Sequence, residues 1–465
     1  MDFAAKCAAL ALWVCLTVLP LDFYPGVPFE TYFVKLIYIA TFGAAALSPF
    51  VLPGSVDALR IFWLLAAAYA LRLAVMLVSL AWSPAPADAA LILIVNLAGF
   101  VLSMALFLMA SRLTLSQLAD VVTWGAAGGV AAFHLFLLVG HAMRGGSGIA
   151  VLLDALLSGD LPGIKRYYFF DGLRGLGVAG FAGVWGNVAP KITNALGHAL
   201  LTPAIAAWYL VAADRMLNGR VAPARDWAAR LVLANAVFIA LMSFSTRVQL
   251  YFAIIVILNV AYFVFRHGNP KVRMMSASLS IFTAILAVVY LIYNVSVQGG
   301  VLMFVADVLD DPRFSDFFKT LARLRSAGLF GEGFGADLGF MEVRYEYAHN
   351  LFLSDFLAAG FIGLLGSVFW AGSILYYVVA AWSRAFDRKR HPGVQMIYLA
   401  GLPPLLYTLA LTQLAAMGLF DISDWVGFTV GLVALAKAIQ LDPAPSVRDK
   451  SGRQRNSGPR MSRAA

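Results

Sequence analysis

Between residues 311 and 366 an otherwise apolar chain gathers groups that could perform acid–base and anion chemistry. Arg313 and Arg323 lie in a charged stretch, Asp311 to Arg325. A glycine turn follows, Gly331-Glu-Gly-Phe-Gly335. His349-Asn350 then leads into an apolar run marked by Gly360, Gly363 and Gly366. A neutral imidazole at His349 could act as a general base near pH 7, or could simply be a structural residue at a helix start. Phe314, Phe317, Phe318, Leu321 and Leu324 recur at helical spacing, with Arg313, Asp316, Thr320 and Arg323 on another face. This pattern predicts an amphipathic helix on a membrane surface, with Asp311 at its cap and Pro312 in its first turn. Its arginines either meet lipid headgroups or face inward, where guanidinium groups clamp phosphate oxygens two at a time. The glycine turn follows no strand and opens no nucleotide fold, so it reads as a device of backbone geometry.

Other candidates are scattered. Arg247, in Ser243-Phe-Ser-Thr-Arg247, stands in a short turn on the face opposite the basic loops, where either snorkelling or a specific partner would explain it. Arg174, in Phe169-Phe-Asp-Gly-Leu-Arg174, is on the same face. Arg72 is the clear charge in the middle of an apolar run; it either lines an internal cavity or pairs with a carboxylate that sequence does not identify. Asp421 and Asp424 share a short outer turn, either holding an arginine or solvated. The six histidines (134, 141, 198, 267, 349 and 391) lack ligand spacing, so no metal site is expected. The two cysteines, Cys7 and Cys15, fall in one apolar run and suggest neither a metal cluster nor a disulfide framework.

The elements that must hold these residues are membrane spans. Apolar residues make up 61% of the chain and charged residues 13%, against about 45–50% and 25% in soluble domains. Runs of roughly 17–25 apolar residues cross a bilayer as helices, because backbone groups in lipid must be satisfied within the segment. Twelve such runs are expected: 7–22, 32–52, 60–82, 88–110, 119–141, 193–213, 227–244, 248–265, 274–295, 351–382, 394–418 and 423–441. The fold class is therefore all-α, a polytopic helical bundle with a helical outer loop between the ninth and tenth spans. The first run lacks a convincing cleavage site and reads as an uncleaved span. Twelve spans put Lys6, Arg60, Arg112, Arg215, Arg220, Arg225, Arg230, Arg266, Lys271, Arg273 and the Arg384–Arg390 cluster on one side. The basic tail falls on that side too, so it is expected to be cytoplasmic, with both termini. The net charge of +9 then reflects membrane orientation, and no nucleic-acid partner is expected. Two long loops, 142–192 and 296–350, lie on the opposite face, too aromatic and apolar for disorder. The bundle is assigned to residues 1–441. Residues 442–465, rich in Ser, Gly, Pro and Arg, have too little apolar surface to fold and are expected to be disordered.

The series Arg313, Phe318, Gly331-Glu-Gly-Phe-Gly335, His349-Asn350, Leu353 and Gly360-Phe-Ile-Gly363 resembles the signature of the bacterial O-antigen ligase and polymerase superfamily. The Ser-Thr-Arg247 turn is similar to that family's Ser-Arg turn, although Val248 replaces the usual glycine. Arg174 with Gly183-Val-Trp-Gly-Asn187 is similar to an earlier segment, which also aligns on Asn194. The specific match covers about 75 residues. The resemblance implies a glycosyltransferase of the inner membrane, with a periplasmic active site and no cofactor. Its donor would be a glycan on undecaprenyl diphosphate. The acceptor would be a lipid A–core sugar (a ligase) or another lipid-linked repeat (a polymerase). The implied mechanism is metal-independent and inverting. His349 would serve the acceptor hydroxyl, and Arg247, Arg174 and Arg313 the diphosphate, with Arg323, Asn350 and Asp421 as further binding residues. Membrane lipids are the remaining partner. A transporter or flippase, or a receptor without chemistry, are the readings from other classes.

Overall fold

The computed structural model describes residues 3–18, 56–143, 147–159, 188–219, 221–242, 246–266, 327–334, 350–414 and 422–442. Among these the regular elements are helical, and there is no strand. The α-helices are α1 (Phe3–Val18), α2 (Val56–Ser79), α3 (Pro86–Ala110), α4 (Leu115–Met143), α5 (Ser147–Ser158), α6 (Val188–Asn218), α7 (Pro223–Met242), α8 (Thr246–Arg266), α9 (Leu351–Ala385), α10 (Pro392–Leu414) and α11 (Ile422–Leu441). Of the twelve expected runs, ten overlap one of these helices; 32–52 and 274–295 lie outside the described residues, as does the tail after Asp442. Among the described residues, six helical stretches are long and apolar enough to cross a membrane: Val56–Trp82, Leu115–Ala142, Ala199–Asn218, Leu351–Ala385, Pro392–Thr412 and Asp424–Leu441. Ala5–Val18, Asn96–Ala110 and Tyr251–Val264 are shorter apolar helices. The chain is a multi-pass membrane helical bundle.

Side-chain contacts fix the directions of α3, α4 and α6 to α11. Arg225, near the start of α7, is buried and pairs with Asp214 near the end of α6 and with Asp120 near the start of α4. Asp226 holds Arg215 and Arg230. Arg266 at the end of α8 meets Gln395 at the start of α10, and Arg384 at the end of α9 donates to the Tyr398 hydroxyl at 3.1 Å. Tyr398 and Arg390 both bond Asp442, just past α11. Lys437 donates to the Ser111 carbonyl, which caps α3. Gly393 packs on Ala213 and Leu217, joining the two groups. The basic helix ends therefore meet at one end of an up-and-down bundle, here called the basic end. The positive-inside pattern has a structural counterpart, since most of these arginines are laced to carboxylates and carbonyls rather than merely solvated.

Further in, aromatic rings fill the bundle where α2, α3, α9 and α11 meet. Tyr69 stacks on Phe100 with centroids 4.3 Å apart and meets Trp370 and Trp425 edge-on. Such ring pairs add to the dispersion gained by burial. Small residues allow the close approaches: a Cβ on Gly99 would overlap the Trp425 indole, and one on Gly401 would come within 2.8 Å of the Gly431 carbonyl oxygen. Helices in lipid associate largely through such packing.

Candidate functional site

The predicted span 351–382 is not one continuous helix. Asn350, in extended conformation, caps it, and its side-chain oxygen accepts from the N–H groups of Phe352 and Leu353 at 3.0 and 3.1 Å. The helix breaks at Ala359 and Gly360, where Gly360 has φ 63° and ψ −150°. That region of backbone space is open to glycine alone. The result is a short helix, α9a (351–358), and a long one, α9b (361–385).

Breaking the helix strands carbonyls that a continuous helix would have paired, and in an apolar setting each must find a donor. The glycine turn supplies them. Glu332 N–H reaches the Leu357 carbonyl at 2.7 Å, and Gly333 N–H reaches that of Ala358 at 3.0 Å. Both chains must be bare for this to happen. A Cβ on Gly360 would lie 2.1 Å from the Leu329 carbonyl oxygen, and one on Gly331 2.5 Å from the Ala359 nitrogen. On its other side the turn meets the end of α2. Ser83 Oγ donates to the Phe334 carbonyl at 2.6 Å, and a Cβ on Gly333 would strike Trp82 and Ser83. The turn is thus a backbone device, as its composition suggested, but its role is to fill a gap in another helix.

Next to the break sits the mid-span charge. Arg72 donates through Nε (2.6 Å) and Nη2 (3.0 Å) to the two carboxylate oxygens of Asp355 on α9a, and the Ser367 hydroxyl on α9b bonds the same carboxylate. Arg72 and Asp355 are 4% and 1% exposed. A Cβ on Gly366 would come within 3.2 Å of Arg72 Cα, so the glycine lets α2 and α9b close on the pair. Of the two roles sequence left open for Arg72, pairing with a carboxylate is the one observed.

The sequence-predicted residues divide as follows. Asn350 is described and spends its oxygen on the cap; it immediately follows His349. Arg247 lies in the first turn of α8, away from the basic end, since Tyr251 pairs with Thr202 and Tyr407 while Arg266 occupies the basic end. Asp424 is buried in the first turn of α11. His349, Arg174, Arg313, Arg323 and Asp421, the predicted helix 312–325 and most of the two long loops lie outside the described residues. No cluster of three metal-ligating side chains occurs among the described residues. The starts of α8, α9 and α11 all lie away from the basic end, where the 327–334 segment also docks. Protein-family models and proteins of curated function were both compared with the chain, and neither comparison returned a match.

Proposed function

We propose that this chain is a membrane glycosyltransferase of the ligase type, moving a glycan from an undecaprenyl diphosphate carrier to a sugar hydroxyl of lipid A–core. One observation carries the reading. The Gly331-Glu-Gly-Phe turn and the Asn350…Gly360 stretch, the motif pieces on which the resemblance rests, interlock through the Leu357 and Ala358 carbonyls. They do so at the end of the bundle opposite the basic end. If the basic end is cytoplasmic, the interlocked motif faces the periplasm, where a lipid-linked glycan is presented and no nucleotide sugar is needed.

The direction of the described helices also supports twelve spans. α1 runs parallel to α4, since Leu16 and Thr17 meet Gly125 and Gly128 and Ala9 and Trp13 flank Asp120 and Trp124. It therefore starts at the basic end, as does α2, whose far end meets the Gly331–Phe334 turn, and that is the parity one additional span between them would give. Likewise α8 ends at the basic end whereas α9 starts at the other, which is the parity that an additional span between them would give.

In the proposed reaction the acceptor oxygen attacks the anomeric carbon from the face opposite the diphosphate. The new C–O bond forms as the bond to phosphate oxygen breaks. The electron pair leaves with the carrier diphosphate, whose added charge Arg247, Arg174 and Arg313 offset. His349 takes the hydroxyl proton. The test is the envelope glycolipid pattern of a strain lacking the protein. A ligase leaves long polymer on the carrier and bare lipid A–core; core carrying a single repeat means a polymerase, and an unchanged pattern refutes both. Restoring the gene as His349→Ala should fail to rescue transfer while the protein inserts normally. Full rescue would remove the general-base role.

A further inference from the structure

We infer that Arg72, Asp355 and Ser367, with the Gly331–Phe334 turn, form a positioning clamp that fixes α9a and its Asn350 cap. The inference rests on the transferase reading for its catalytic half. Its mechanical half stands on the contacts alone.

At eight residues, α9a is too short to hold itself, since helices below about 12–15 residues are marginal without tertiary support. It is held at three points: the Asn350 cap, the docked turn at its last carbonyls and the Asp355 carboxylate in its middle. Asp355 is bonded to α2 through Arg72 and to α9b through Ser367, so a single side chain ties three helical segments. An apolar contact would tolerate rotation of α9a about its axis. A planar guanidinium gripping two carboxylate oxygens does not, and buried ionic groups best serve such register setting. Asp355 lies five residues beyond Asn350, so a rotation of α9a would swing the chain at its cap. Reacting groups displaced by about 1 Å cost on the order of 10²-fold in rate.

The test uses the full-length protein in lipid nanodiscs. Arg72→Met with Asp355→Leu replaces the pair by apolar groups and leaves no buried charge unpaired; Ser367→Ala releases the α9b tie alone. Glu332→Cys, with Cys7 and Cys15 replaced by Ser, reports docking of the turn through its reaction rate with a membrane-impermeant thiol reagent. Kinetics are measured without the reporter cysteine. The expected result for the double variant is an unchanged melting temperature, labelling at 332 at least about 10-fold faster, and kcat lower by roughly 10²-fold with KM within about 3-fold. Ser367→Ala should shift labelling and kcat in the same direction by about 3–10-fold. Unchanged labelling in both variants overturns the clamp. Faster labelling with unchanged kcat overturns its positioning role. A wild-type protein that transfers no glycan refutes the transferase reading instead, and the labelling result still decides the mechanical half.

Discussion

Gly360→Ala should uncouple the glycine turn from α9, and the cost can be worked out from the geometry. Gly360 sits at φ 63°, ψ −150°, a conformation that costs a residue with a Cβ about 1–3 kcal/mol. The new methyl would lie 2.1 Å from the Leu329 carbonyl oxygen and 2.5 Å from the Phe330 nitrogen. Both are backbone atoms, so the turn must retreat. Retreat breaks the bonds from Glu332 and Gly333 to Leu357 and Ala358, each worth about 0.5–1.5 kcal/mol net. The total is about 2–6 kcal/mol, which shifts the docked population by a factor of roughly 30 to 10⁴. Gly372→Ala on α9b is the matched control, because its Cβ would meet nothing within 4 Å and alanine favours a helix by about 1 kcal/mol. Protease cleavage within 327–334 in nanodiscs reads docking, and complementation of the glycolipid defect reads function. Gly360→Ala should be cleaved readily and fail to complement, while Gly372→Ala should match wild type. A Gly360→Ala protein as resistant to protease as wild type would refute the account of the break.

Two further substitutions probe the two ends of the bundle. Arg225→Met leaves the buried Asp214 carboxylate without its partner, and a broken buried pair costs about 3–5 kcal/mol; thermal unfolding in detergent should show a fall in melting temperature, largely reversed by adding Asp214→Asn. At the other end, Arg247→Lys keeps the charge but loses the two-pronged guanidinium. It should insert and melt as wild type yet transfer glycan at least about 10-fold more slowly, and wild-type rates in that variant would reduce Arg247 to a simple charge effect.

Run length and apolarity located the described helices other than α5, because a membrane imposes both on a helix directly. Nothing comparable marks a break. Gly360 lies in Ala358-Ala-Gly-Phe-Ile-Gly363, which reads as an ordinary small-residue span, since glycine is common in membrane helices. The break depends on Leu329 and Glu332, which a reading of the run alone does not bring in. The partner of Arg72, by contrast, is legible in the sequence. Asp355 is itself an ionisable residue inside an apolar run, and two opposite intramembrane charges call for each other, although 283 positions separate them. Arg225 shows the converse failure. Counting basic residues by side predicts orientation, but it says nothing about which arginine is buried against Asp214 and Asp120 and which is solvated.

The broken α9 also bears on transport, the reading from another class. In many transporters, unwound backbone carbonyls and half-helix ends are left open at mid-membrane to line a solute site. Here the Leu357 and Ala358 carbonyls are taken by the Gly331–Phe334 turn, and the neighbouring charge is consumed by Asp355 and Ser367. Arg72 lies 16 residues beyond Val56, or about 24 Å along α2, just above the Tyr69, Phe100, Trp370 and Trp425 rings. Arg72, Asp355 and Ser367 are thus bound to one another over a packed aromatic layer, an arrangement suited to bracing a helix end. What the bracing holds is α9a with its Asn350 cap. With these carbonyls and charges already paired, the break in α9 lacks the open polar groups from which a mid-membrane solute site is built.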